Sequence, residues 1–149
     1  MKILLGLAIL ATSATATEPS QPIERIGGIV LNGQKLPFSN AVRAGDTVYL
    51  SGQTGLRADG TLPEGFDAQA RQTMENVSAI LKSAGLGWSD VTKCTVMLAN
   101  VDDWPAFNKI YASYFPDGNF PARSAFGANR LALPGMLVEL ECIAYAGKR

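Results

Sequence analysis

The chain has 149 residues, 13 Lys and Arg against 13 Asp and Glu, and no histidine. That length allows one domain around one core. The missing imidazole excludes histidine acid–base chemistry, Ser-His-Asp and Cys-His nucleophiles and the usual zinc sites, and the lack of any Lys/Arg run argues against binding nucleic acid by phosphate neutralisation.

Met1-Lys2 is a short basic start, residues 3–11 are apolar, and Ala14-Thr15-Ala16 is a small-x-small site. This is the pattern of a cleaved secretory signal, so residues 1–16 are predicted to be removed on export to the periplasm or beyond. The apolar run is too short for a stable membrane anchor. Losing Lys2 leaves the mature chain near a net charge of −1. Residues 17–28, with Pro19 and Pro22, read as a flexible arm, and residues 29–149 as the single domain.

Residues 29–33 suggest a first strand and turn, and residues 40–43 a second. Thr47-Val48-Tyr49-Leu50-Ser51 is a β-branched and aromatic strand. Residues 52–65 read as a glycine-rich loop. A helix is predicted from about Asp67, as N-cap, to Ala84. Ala70, Met74, Val77, Ile80, Leu81 and Ala84 form its apolar stripe, and Gly85 stops it. Residues 91–98 form the next strand. Asp102 or Asp103 caps a second helix with Pro105 in its first turn, and Phe107, Ile110, Tyr111 and Tyr114 face inward. Residues 137–146 form the last strand. This order predicts one mixed sheet with both helices on one face, an α+β layer. Lys93, Thr95, Met97, Glu139, Glu141 and Ile143 alternate onto the other face, which is both polar and apolar. Such a face suits a partner subunit.

Cys94 and Cys142 fall on the apolar sides of their strands. In an exported chain they can bridge. Buried free thiols, which behave as small apolar residues, are the reading the alternation favours.

Two side chains carry the chemistry. Arg123 lies in Phe120-Pro121-Ala122-Arg123-Ser124, read as a polar break after the second helix. Its guanidinium offers a planar fork that fits a carboxylate. Glu139 lies on the last strand, where a carboxylate can hold or activate water. Together they suggest hydrolysis of a small molecule that bears its own carboxylate. The plainer reading is two solvated or mutually paired charges.

Four segments then resemble the RidA (YjgF) family, the reactive-intermediate deaminases. They are Tyr49-Leu50-Ser51-Gly52-Gln53-Thr54-Gly55, residues 68–77, Pro121-Ala122-Arg123-Ser124-Ala125-Phe126-Gly127, and Val138-Glu139-Leu140-Glu141-Cys142-Ile143-Ala144. The resemblance runs over about residues 37–146. It implies a chorismate-mutase-like homotrimer with clefts between subunits. It also implies cofactor-free hydrolysis of 2-imino acids and their enamines, 2-aminoacrylate among them, to 2-oxo acids and ammonia. Arg123 matches the family's substrate arginine, Glu139 its water-handling glutamate, Ser51 its strand serine and Asn108 its helix asparagine. Two positions depart. The hydroxyl-bearing aromatic is Phe38, an apolar wall, and a cysteine is Ala125, near which backbone carbonyls would hold the iminium nitrogen. Two other readings stand beside this one: a holdase-like or small-carboxylate-binding relative without turnover, and another hydrolase such as an endoribonuclease.

Overall fold

The computed structural model describes residues 22–147 except 29 and 32. The predicted leader and residues 17–21 of the arm lie outside the described residues. Among the described residues, nine strands and two α-helices follow in the order β1 (Glu24–Ile26), β2 (Val30–Leu31), β3 (Gln34–Lys35), β4 (Ala41–Ala44), β5 (Thr47–Leu50), β6 (Gln53–Thr54), α1 (Phe66–Ser83), β7 (Val91–Leu98), α2 (Trp104–Ala112), β8 (Ala122–Gly127) and β9 (Val138–Tyr145). The sheet runs β1-β4-β5-β9-β7-β8, with β6 also on β9, and β2-β3 form a separate hairpin. All pairings are antiparallel except β7 with β8. That parallel pair is joined through α2, as a crossover requires.

The predicted single mixed sheet with two helices is therefore present. Val48, Leu50, Cys94, Val96, Leu98, Val138, Leu140, Cys142 and Ala144 point from the sheet into one core. Ala70, Met74, Val77, Ile80 and Leu81 meet them from α1, and Phe107, Ile110 and Tyr111 from α2. Alternation along β9 is strict: Val138, Leu140, Cys142 and Ala144 are buried, and the residues between them are not. Helix α1 ends as predicted. Gly85 takes φ 74°, which costs glycine little, and Leu86 N–H closes back on the Leu81 carbonyl at 2.8 Å.

Four local expectations are corrected. Glu24–Ile26 lies in the stretch read as a flexible arm, yet it pairs with β4 and makes the edge strand β1; main-chain hydrogen bonds to an open edge need no apolar pattern to signal them. Residues 52–65 are not all loop, because β6 pairs with Leu140 and Glu139 of β9. The helix caps also differ. Gly65 and Asp103 hold the N-cap positions without side-chain bonds, and Asp67 sits in the first turn of α1, where its charge complements the helix dipole. Finally, Cys94 and Cys142 are bonded to each other. The alternation placed both thiols inward, as found, but only strand register sets them directly opposite.

Candidate functional site

Arg123 lies on strand β8 rather than in a polar break, in register with Cys94 of β7. Side chains at matching positions of paired strands share a face. Arg123 therefore rises on the helix side, at the sheet edge, against α2. Its guanidinium carbon lies 4.7 Å from the Tyr111 ring centroid and 5.9 Å from that of Phe107. Its Nη2 donates to Asn108 Oδ1 at 2.5 Å. Aromatic rings and an amide thus hold the cation without a neutralising carboxylate, and the stacking adds on the order of 1 kcal/mol. No acidic group lies within ion-pair reach of Arg123 among the described residues; the one such pair there is Arg43–Glu24.

Around Arg123 is a cavity of about 420 Å³ lined by Trp104, Asn108, Tyr111, Ala112, Phe120, Pro121 and Ala125. Trp104, Asn108, Tyr111 and Ala112 recur at one-turn spacing, so one stripe of α2 makes one wall. The Phe120-Pro121 segment leading into β8 makes another. The cavity joins a bound cation to apolar walls, the combination that takes a small organic anion. Tyr111 is buried, and among the described residues its hydroxyl has no hydrogen-bond partner. Burial pushes that hydroxyl up to about 12, so the ring stays neutral beneath the cation.

Glu139 lies elsewhere. It pairs with Met97 and Thr54, on the face away from the helices. Its carboxylate rests against Gly52, where an added Cβ would come within 2.1 Å of Oε1. Gly52 stands in the two-residue break between β5 and β6, so the break and the bare glycine together make room for the carboxylate. Burial, and then the neighbouring Glu141 charge, push Glu139 above the ordinary glutamate value of 4.5. A carboxylate raised in this way is a better proton acceptor at neutral pH. Beside Gly52, Ser51 donates its hydroxyl to the Ser39 carbonyl at 2.7 Å, and its amide bonds the Asn40 carbonyl. These bonds tie down the segment that carries Phe38, itself exposed.

The predicted residues thus fall into two groups. Arg123, Asn108 and Ala125 share the helix-side cavity. Glu139 and Ser51 flank Gly52 on the other side, with Phe38 on the adjoining segment. Arg123 shares its rung with Cys142, three residues from Glu139, and β7 lies between their strands. That is roughly 10 Å along the strands and another 10 Å across them, on opposite faces. One small substrate cannot touch both side chains of one protomer.

The sequence reading passed over three contributors. Trp104 sits four residues before Asn108, a spacing that brings side chains together on a helix. Tyr111 belongs by its spacing to the inner face of α2, and the cavity adds a second role. Gly52 bears no chemical group, and only the fold reveals what lies against it. Among the described residues no cluster of three or more His, Cys, Asp or Glu is arranged to hold a metal ion.

The chain is similar to known proteins over most of its length. Residues 33–146 match the family described as Endoribonuclease L-PSP. The chain is 44% identical over 114 residues to the 2-iminobutanoate/2-iminopropanoate deaminase of Mus musculus, covering 74% of this chain and 82% of the relative. Among solved structures, RidA from the Antarctic bacterium Psychrobacter sp. is 36% identical with a TM-score of 0.71, covering 84% of this chain and 98% of that one. E. coli TdcF with bound serine is 31% identical with a TM-score of 0.72, covering 85% and 99%.

Proposed function

Because the chain belongs to the endoribonuclease L-PSP family, the RidA (YjgF) group, we propose that it is a hydrolytic deaminase converting 2-imino acids and their enamine tautomers to 2-oxo acids and ammonia. The observation that carries this reading is Arg123. It is a guanidinium with no acidic partner among the described residues, seated on Tyr111 and Asn108 in a cavity of molecular size. A relative named as an imine deaminase and another solved with bound serine support it.

The chemistry asks little of the protein. A protonated imine is already electrophilic at C2, so no strong nucleophile has to be built. Arg123 grips the substrate carboxylate through parallel N–H···O bonds. Glu139 orients a water molecule and accepts its proton as the water oxygen bonds to C2. The same proton returns to nitrogen; as the C–N bond breaks and ammonia leaves, Glu139 takes the proton of the C2 hydroxyl, which becomes the carbonyl of the 2-oxo acid, and then releases it to solvent. Positioning the iminium and the water in near-attack geometry supplies several kcal/mol of barrier reduction. Phe38 and Ser51 bound the water side, and the main chain at Ala125 takes the iminium nitrogen.

This assignment requires Arg123 and Glu139 from different copies, because within one copy they lie on opposite faces. The outward face of the sheet, with Tyr49, Phe126 and Tyr145 exposed, supports association through it, and the family resemblance supplies three as the number. Light scattering at three times the protomer mass is the expected result, and an active monomer would contradict it. Export is proposed as well. The Cys94–Cys142 bond supports it, since disulfides persist in oxidising compartments. Intact mass of the exported protein, beginning at Thr17, is the check.

The activity is tested by generating imines in place with an amino-acid oxidase and following their decay. Acceleration over the spontaneous rate is expected. No acceleration across several imino acids, with a 2-oxo acid still bound, would instead favour a carboxylate-binding protein that uses Arg123 and leaves Glu139 idle.

A further inference from the structure

We infer that Trp104 is a positioning residue of this site: its indole N–H fixes the Asn108 amide so that the Asn108 Nδ2 donors, beside Arg123, are left for the substrate carboxylate. The inference rests on the deaminase reading and extends it to a residue that reading does not use.

Asn108 Oδ1 receives two bonds, one from Arg123 Nη2 at 2.5 Å and one from Trp104 Nε1 at 3.1 Å. An indole N–H and a guanidinium N–H can only donate, and neither has a lone pair to accept with. Rotating the amide by a half turn would set its NH2 group against two donors. The oxygen must therefore face both neighbours. Among the described residues Nδ2 then has no acceptor. It carries two N–H groups in a side chain that lines the cavity, and a carboxylate arriving at Arg123 is an acceptor with four lone-pair positions to fill.

The helix makes this arrangement possible. Trp104 opens α2 and Asn108 lies one turn on, so the indole reaches the amide without strain. Trp104 is 37% exposed, so core packing does not account for a large aromatic at this position. Its bond also restrains the arginine. Asn108 Oδ1 is the fixed point that holds one edge of the Arg123 guanidinium and leaves the remaining N–H groups for the ligand. Phenylalanine at position 104 would keep the ring and remove only the donor.

The test is a double-mutant cycle on the intact assembly, read by imine turnover and by calorimetric binding of 2-oxobutanoate. Trp104→Phe is expected to raise KM, and the Kd for the 2-oxo acid, about fivefold, with kcat within twofold of wild type. In an Asn108→Ala background the same substitution should have no further effect, because the group it orients is gone. A residue serving only as cavity wall would give the same penalty in both backgrounds, and that result would overturn the inference, as would a Trp104→Phe protein with wild-type KM and Kd. Asn108→Asp keeps the oxygen that Trp104 and Arg123 bind but replaces the NH2 donor with a second carboxylate oxygen. It is expected to weaken 2-oxobutanoate binding at least tenfold, and unchanged binding would refute the role of Nδ2. Should wild type fail to hydrolyse imines, the deaminase reading falls, while the binding arm of the cycle still decides the role of Trp104.

Discussion

The helix-side cavity and the outward sheet face are built to different degrees of completion. In the cavity, every polar atom that touches Arg123 is already placed: rings beneath it, an amide beside it, and an indole fixing the amide. On the outward face, Glu139 has a shaped, partly buried seat against Gly52, while the same face of the sheet leaves Tyr49, Phe126 and Tyr145 exposed. A ligand-gripping group is thus prepared inside one copy, and a water-handling group is left for association to enclose. Burial by a partner would push Glu139 further in the direction that burial already takes it.

The covalent link between the two regions offers the largest effect. Cys94 stands on the rung of Arg123, and Cys142 on the strand of Glu139. Replacing both with Ala is expected to cost about 4 kcal/mol by loop closure over a separation of 48 residues. Urea unfolding measures it, and a loss under 1 kcal/mol would mean the bond is dispensable to the fold. Next in size is the gripping group itself. Arg123→Ala should slow imine hydrolysis at least about a hundredfold, on the order of 3 kcal/mol, with circular dichroism unchanged. Arg123→Lys should lose most of the same amount, because an ammonium lacks the two-pronged geometry. Equal decay rates for Arg123→Ala and wild type would remove Arg123 from the site.

The outward face is probed by a smaller change. Gly52→Ala places a methyl where Glu139 Oε1 now lies, so kcat should fall about tenfold while 2-oxo acid binding in the cavity holds. A parallel loss of binding would show that the two regions are not separable. The smallest effect is on pH. Turnover needs ionised Glu139, so the rate should rise with pH through a midpoint above 4.5. Glu141→Gln removes the second cause of the upward shift and should move that midpoint down. Stability has the opposite sign. The native state holds this proton more tightly than the unfolded chain does, so the favourable contribution is present at low pH and lost as pH rises through the raised value.

Much of the fold is legible along the chain. The stripe of α1, the stop at Gly85 and the alternation of β7 and β9 each follow from a period or a turn residue, and each is found where expected. Arg123 and Glu139 could be singled out because few side-chain types grip a carboxylate or handle a water, and with histidine absent the choice is narrow. Two of the missed strands share a cause. Strands β1 and β6 are three and two residues long and are held by main-chain bonds to neighbours distant in sequence, so they leave almost no side-chain pattern.

What the residues alone determine is therefore local: periods, stops, inward-facing cysteines and the types of group available for chemistry. Three things belong to the tertiary structure, and all depend on register. The pairing of Cys94 with Cys142 makes a bond of two thiols that alternation could only point inward. The pairing of Arg123 with Cys94, and of Glu139 with Met97, puts the two chemical groups on opposite faces. The break between β5 and β6 sets Gly52 under a carboxylate nearly ninety residues away. Side chains in a sheet alternate with a period of two, so a slip of one residue would reverse every such assignment, and only the contact between strands decides it.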